Sequence, residues 1–377
     1  MRIVSFEPAA RRPTKSADVQ RAEGERRRVP AWAGRAREGA ASSGLEALGA
    51  AGFALDDLAP FARSGRRLGA LIPAGPDAGA VVDLSRALAV KLALEDAGAP
   101  EAEAESLIPP DPIAFLARGT HALASARRAL DFALAALERY DAPDLRRAGA
   151  VLPRASVSLR APVPRPGKIV GVARNYSDHT RERGDAAPPS EPVLFVKASS
   201  AVIGPEDEIE IPAAVQQADY EGELAVVIGA RAHRVSADVA LAAVAGYCVA
   251  NDVTARDYQG VRGQRFLGKS CDTFAPLGPA LVTADEIPDP QDLGLVTRLS
   301  GEVVQSARTK DMHFPVAEVI AFTSQLMRLE PGDVILTGTP GGVGAAREPA
   351  RWLRDGDVVE VEIERVGRLV NYVRAER

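Results

Sequence analysis

The chain reads as a β-rich α+β protein in two parts, a smaller α/β N-terminal domain and a larger β-rich C-terminal domain. Three observations predict this. Short β-branched runs dominate beyond residue 167, a long helical periodicity precedes them, and a three-proline stretch lies between. At 377 residues the chain also exceeds the roughly 100–200 residues of one compact domain, so two structural units are expected.

Ile3 to Phe6 is expected to form a short strand, followed from Pro8 to about Gly44 by an Arg-, Ala- and Gly-rich stretch with little apolar periodicity, read as a flexible insertion. Its Glu25-Arg26-Arg27-Arg28 cluster is interleaved with Asp18, Glu23 and Glu38 and has only Trp32 as an aromatic companion. That composition suits a solvated loop better than a nucleic-acid patch. Order resumes at Arg67: Leu68 to Ile72, a Pro/Gly/Asp turn and Ala80 to Leu84 predict a hairpin running into a helix over Ser85 to Glu95. Leu123, Ala126, Leu130, Leu134 and Leu137 recur every three or four residues and predict a core-facing helix from Thr120 to Tyr140.

The run Ala161-Pro162-Val163-Pro164-Arg165-Pro166-Gly167 cannot continue a helix or a central strand and marks a linker. The expected division is therefore 1–66 (strand plus insertion), 67–165 (N-terminal α/β domain and linker) and 166–377. In the last part strands are expected at Lys168 to Val172, Val193 to Lys197, Glu221 to Ile228, Tyr247 to Asn251, Ala280 to Val282, Val334 to Leu336 and Val358 to Ile363. One helix, Val316 to Met327, interrupts them.

A net charge of −5 gives no support for a nucleic-acid or membrane partner and leaves a small molecule as the expected ligand. Two cysteines, Cys248 and Cys271, cannot build a disulfide framework, which suits a reducing cytoplasm. No charged segment followed by an apolar run opens the sequence, and no window reaches the roughly 18 apolar residues of a membrane span.

Chemistry concentrates in Asp219-Tyr220-Glu221-Gly222-Glu223, at the start of an apolar strand. With side chains alternating along a strand, Glu221 and Glu223 point the same way, and two like charges so aimed need solvent or a cation between them. Asp252 ends a second apolar strand, in Asn251-Asp252-Val253-Thr254-Ala255-Arg256-Asp257. Three carboxylates at strand ends, if they converge, make an oxygen site suited to Mg2+ or Mn2+, with Ca2+ as a further hard cation. His179 and Glu182 are spaced to be neighbours on a helical turn, where a carboxylate would raise imidazole basicity. Gly263 to Ser270 matches the letters of a phosphate-binding P-loop. Polar residues stand where its strand is needed, and Pro276 and Pro279 forbid the long helix that should follow, so the match is read as chance.

From Lys168 to Val373 the sequence resembles the fumarylacetoacetate hydrolase family, whose motifs occur here in order. They are Gly171-Val172-Ala173-Arg174-Asn175-Tyr176-Ser177-Asp178-His179, Pro192 to Lys197, Asp219 to Gly229, Asn251 to Asp257, Gly268 to Asp272 and Pro331 to Pro340. The resemblance implies a rolled mixed β-sandwich catalytic domain, usually a homodimer, with Glu221, Glu223 and Asp252 as metal ligands. It implies that His179 and Glu182 activate water on a lid, that Lys269 is catalytic, and that Arg174, Tyr176, Gln259, Gly338 and Thr339 meet the substrate, while Arg256 is expected as a structural ion-pair partner. The implied activity is metal-dependent C–C hydrolysis of a small β-diketo or 2-oxo acid of the acylpyruvate or fumarylpyruvate type. Decarboxylation, isomerisation and dehydration on the same fold are alternatives, and a catalytically silent scaffold is a third class. The resemblance further implies that Arg2 to Phe6 and Arg67 to Ile72 are neighbouring strands, parted here by an insertion of roughly sixty residues.

Overall fold

A computed structural model describes residues 1–9, 65–95, 97–140, 142–182 and 187–376. The basic cluster at Glu25 to Arg28 and most of the insertion lie outside the described residues. Contacts divide the chain into two units: Met1–Ser5, Asp111–Ala122 and Leu159–Arg377 form one, and Phe6–Pro110 with Leu123–Ser158 form the other. By contacts the larger unit resumes at Leu159, and both Met1–Ser5 and Asp111–Ala122 group with it. Ile113, in the Pro112–Ala117 helix, covers Gly332 and draws this segment there.

In the smaller unit the expected hairpin forms, Arg67–Leu71 pairing antiparallel with Val81–Asp83 so that Ala70 faces Val82. Asp83 then caps the Leu84–Leu94 helix by accepting the Arg86 N–H at 3.0 Å, and its carboxylate also ion-pairs with Arg67. Phe6 packs over Gly69, in keeping with the expected neighbourhood of the first two strands. The Thr120–Tyr140 helix has the expected bounds, and of the expected face Ala126 and Leu130 are buried. Ala122, Ala126, Ala129, Ala133 and Ala136 are wholly buried, whereas Leu123, Leu134 and Leu137 are only partly so.

The larger unit holds two mixed sheets. In the first, strands run in the order Arg2–Pro8, Ala275–Thr283, Val244–Asn251, Gly222–Ile228, Val334–Leu336, Ile169–Ala173, Val193–Lys197. Only Val334–Leu336 and Ile169–Ala173 are parallel neighbours along this path. The second runs Glu302–Arg308, Gly294–Leu299, Val358–Ile363, Gly367–Ala375, Glu208–Ile211. Leu224, Val226 and Ile228 of the first and Leu295, Val359, Val361 and Leu369 of the second belong to one buried core. Gly222–Ile228 and Val244–Asn251 are buried at every position, as central strands are, with Glu223 and Asn251 the polar exceptions in otherwise apolar or small-residue runs.

Candidate active site

The Gly222–Ile228 and Val244–Asn251 strands pair with Gly222 opposite Asn251, which sets Glu221 and Asp252 side by side just beyond the ends of the ladder. The link continues past the ends: Asp252 N donates to Glu221 O at 2.8 Å, and Glu221 N to Asn251 Oδ1 at 3.0 Å. Glu223 lies two residues on, as strand alternation expects. One carboxylate oxygen from each of Glu221, Glu223 and Asp252 lies within 4.8 Å of the others, and all three residues are buried. The expected convergence is real.

Charge within this cluster is unevenly matched. Arg256 Nη2 lies 2.6 Å from Glu221 Oε1 and 2.8 Å from Asp219 Oδ2. Lys269 Nζ donates to Glu221 Oε2 at 2.8 Å and to Asp252, and Lys197 Nζ lies 2.6 Å from Asp252 Oδ1. Although burial alone would raise it, Lys269 and Arg256 hold the Glu221 carboxyl well below the usual carboxylate range. Burial works against the Lys269 ammonium, but Asp252 and Glu221 keep it above the ordinary lysine range. Lys197 is lowered by its complete burial, against the pull of Asp252. Among the described residues Glu223 has no ion-pair partner; it accepts the Gly338 N–H at 2.7 Å. Burial, Asp252 and Glu221 together push its carboxyl well above the usual range.

An all-oxygen donor set carrying one unneutralised carboxylate fits a hard divalent cation, which would supply the missing charge beside Glu223. The residues that would hold it are Glu221, Glu223 and Asp252.

Around the carboxylates lies a cavity lined by the apolar residues Val172, Ala173 and Phe195 and by the polar residues Arg174, His179, Arg256, Gln259, Arg265, Lys269 and Thr339. The structure therefore brings most of the expected site residues together. Arg174 turns into it from a left-handed backbone, φ 59°. Gln259 lies on the wall while accepting from Arg256 at 3.1 Å. Thr339 is less free than expected: its hydroxyl donates to Gly222 O at 3.0 Å and accepts from Gln305 at 2.8 Å. Gly338 spends its N–H on Glu223, and Tyr176 is only 1 % exposed, outside the wall, with its hydroxyl buried without a hydrogen-bond partner among the described residues.

His179 and Glu182 share the short Ser177–Glu182 helix, but Nδ1 of the histidine is 3.9 Å from Glu182 Oε2, too long for a hydrogen bond. Glu182 instead accepts the Gly342 N–H, at 2.8 Å and 3.0 Å from its two oxygens. Among the described residues, Nδ1 of His179 is buried with no hydrogen-bond partner. The P-loop letters at Gly263 to Ser270 follow a π-helical turn, Asp257–Val261, and themselves form the Arg265–Lys269 helix, so no strand enters them.

Residues to which the sequence assigned no role also converge here. Asp219, wholly buried, accepts N–H groups from Gly344 and Ala345 at 2.7 Å and 3.1 Å and anchors Arg256. Gln305 accepts the Gly222 N–H at 2.9 Å and donates to Thr339 and to Pro340 O. A lysine ending an apolar strand was the available signal for Lys197; Gln305 offered none.

Fold and site together define an enzyme class that gathers carboxylates at the ends of central strands to hold a divalent metal beside a small-molecule cavity. The fumarylacetoacetate hydrolase C-terminal family model matches residues 168–374, and the chain belongs to that family. Among its relatives, bovine mitochondrial oxaloacetate tautomerase FAHD2A is 46 % identical over 271 residues, covering 71 % of this chain and 81 % of that protein. The human protein of the same name is 47 % identical over 261 residues, 69 % of this chain and 78 % of that one. Two solved structures are also similar. Fumarylacetoacetate hydrolase from Exiguobacterium antarcticum has a TM-score of 0.64 at 36 % identity, covering 82 % of this chain and 96 % of that one. The 2-hydroxyhepta-2,4-diene-1,7-dioate isomerase from Mycobacterium marinum has a TM-score of 0.54 at 41 % identity, covering 60 % and 82 %. Among the described residues no helix is long and apolar enough to cross a membrane.

Proposed function

We propose that the chain interconverts the keto and enol forms of a short 2-oxo acid, in place of the C–C hydrolysis expected from the family name. The observation that carries this reading is the separation of His179 from Glu182. Hydrolysis needs a water held and activated by the pair, but Glu182 is engaged with the Gly342 N–H and leaves His179 a solitary group in the cavity wall. Tautomerisation needs only such a group, since a proton leaves carbon and returns to oxygen with no water consumed. The names of the bovine and human relatives and of the M. marinum isomerase support the same reaction class.

A Mg2+ or Mn2+ ion on Glu221, Glu223 and Asp252 would supply Lewis-acid withdrawal of charge from the 1-carboxylate and 2-oxo oxygens. His179 takes the proton from the carbon beside the oxo group. Lys269, kept protonated by its two carboxylate neighbours, steadies the oxygen that gains negative charge. Arg256 and Lys197 transfer no proton in this scheme and hold Glu221 and Asp252 in place.

The test follows loss of enol absorbance from oxaloacetate, and carboxylic acid release from acetylpyruvate, with the Mn2+-loaded protein. Faster enol conversion without acid release is expected, falling about a hundred- to ten-thousand-fold in His179→Ala with Mn2+ affinity unchanged. Acid release that His179→Ala and Glu182→Gln both abolish would restore the hydrolytic dyad and sink the tautomerase reading.

A further inference from the structure

Resting on the assignment of a divalent cation to Glu221, Glu223 and Asp252, we infer that Lys197 is a selectivity residue for that cation. By holding one oxygen of Asp252 it completes a site of three single oxygens, which suits a small octahedral ion and disfavours Ca2+. Each ligand carboxylate has one oxygen held by a group outside the ligand set. Lys197 Nζ lies 2.6 Å from Asp252 Oδ1, Arg256 Nη2 lies 2.6 Å from Glu221 Oε1, and the Gly338 N–H reaches Glu223 Oε2 at 2.7 Å. These holders are themselves fixed. Lys197 ends the Val193–Lys197 strand, its side chain is fully buried, and Nζ also donates to Val253 O at 3.0 Å. Arg256 is tied to Asp219 at 2.8 Å, and the Gly338 donor is backbone.

The other oxygens of Glu221 and Asp252 converge. A single ammonium, that of Lys269, meets both Glu221 Oε2, at 2.8 Å, and Asp252 Oδ2. Two lysines thus lie on opposite oxygens of one carboxylate, and they differ in kind. Lys269 draws on the oxygens that a cation shared with Glu221 would use, whereas Lys197 takes the oxygen turned away from them. Burying a second ammonium beside Asp252 is costly, and what it adds to the pairing already made by Lys269 is position. The count of available oxygens separates the cations. Ca2+ takes about six to eight oxygens at roughly 2.3–2.6 Å and often closes a carboxylate on both of its oxygens, whereas Mg2+ demands octahedral geometry at about 2.0–2.1 Å. Carboxylates confined to one oxygen each meet the octahedral need and deny Ca2+ the two-oxygen grip.

Titration calorimetry of the full chain with Mg2+ and with Ca2+ tests this. The readout is the ratio of the two affinities, because a change of local charge acts on both dications alike. The wild type is expected to bind Ca2+ no more tightly than Mg2+. Lys197→Met frees Asp252 Oδ1 and should move the ratio about ten-fold toward Ca2+, as one added contact to a charged oxygen allows. Lys269→Met takes a competing charge off the oxygens that both ions use, so both should bind more tightly with the ratio in place. Denaturant midpoints show that each variant is folded. A ratio unmoved in Lys197→Met, or moved as far in Lys269→Met, overturns the assignment. A wild type that prefers Ca2+ overturns it with no variant needed. Failure of the cation site itself looks different, since neither ion then binds the wild type and the selectivity claim falls with the site. Failure of the keto–enol reaction would show only in turnover and leave these affinities as they are.

Discussion

Replacing Glu223 by glutamine is expected to make the metal-free protein more stable and to abolish its response to Mn2+. Two carboxylate oxygens 4.8 Å apart, the outer limit within the cluster, repel by roughly 3 kcal/mol at an effective dielectric constant of about 20. Glu223 faces two such neighbours, with Lys269 attracting in the opposite direction and burial adding to the cost of its ionisation. A neutral amide of the same shape, still able to accept the Gly338 N–H, should recover about 1–3 kcal/mol of this. The pH dependence follows in sign. A carboxyl raised on folding favours the native state below its unfolded value of about 4.3 and loses that contribution as pH rises through the folded value. The variant's advantage should therefore be absent in acid and present at neutral pH. Denaturant midpoints with and without Mn2+, at unchanged slope, measure both effects. At a hundred times its Kd the ion should stabilise the wild type by about 2.7 kcal/mol and the variant by nothing measurable. A variant less stable than wild type without metal, yet equally stabilised by Mn2+, would refute the cation-site reasoning.

Gln305→Leu strips the buried Gly222 N–H and Pro340 carbonyl of their partners and should cost about 2–4 kcal/mol in denaturant unfolding; a loss under about 0.5 kcal/mol would show that neither group needs it. Gly171→Ala places a methyl 2.2 Å from Cζ of Phe195, so the ring must move; raised KM together with lowered stability is expected, and unchanged values of both would contradict the close contact. Burial pushes the Cys248 thiol up to about 12, so at pH 8 alkylation should label half-buried Cys271 and spare Cys248 until the protein is unfolded; equal labelling in the native state would count against the burial of Cys248.

Much of the larger unit is legible in the sequence because its signals are local. The β-branched runs delimit Val193–Lys197, Val334–Leu336 and Val358–Ile363 correctly, and the period-two rule by itself sets Glu221 and Glu223 on one side of their chain segment. The strands Gly294–Leu299 and Glu302–Arg308 escape notice because their alternation mixes Arg, Thr, Gln and Glu with aliphatic residues, a pattern that becomes a strand only beside its partners. Gln305 is hidden with them. The partner of Glu182 is illegible for a related reason. Helical spacing names His179 as a neighbour, but Gly342 reaches the carboxylate from 160 residues away.

That distant loop has a further consequence. Between Gly338 and Gly344 it delivers backbone N–H groups to three acids with different duties: Glu223 in the ligand set, Glu182 on the short helix bearing His179, and Asp219 beneath Arg256. The three carboxylates are thus moored to one length of backbone, and any shift of that backbone is felt by all of them. Losses measured at Glu182, Glu223 and Asp219 should consequently fail to sum, because each single replacement slackens the moorings of the other two. A swing of Glu182 toward His179 would likewise give up the Gly342 mooring and loosen the loop that steadies Glu223, so the same contact that keeps the pair apart also steadies the ligand set.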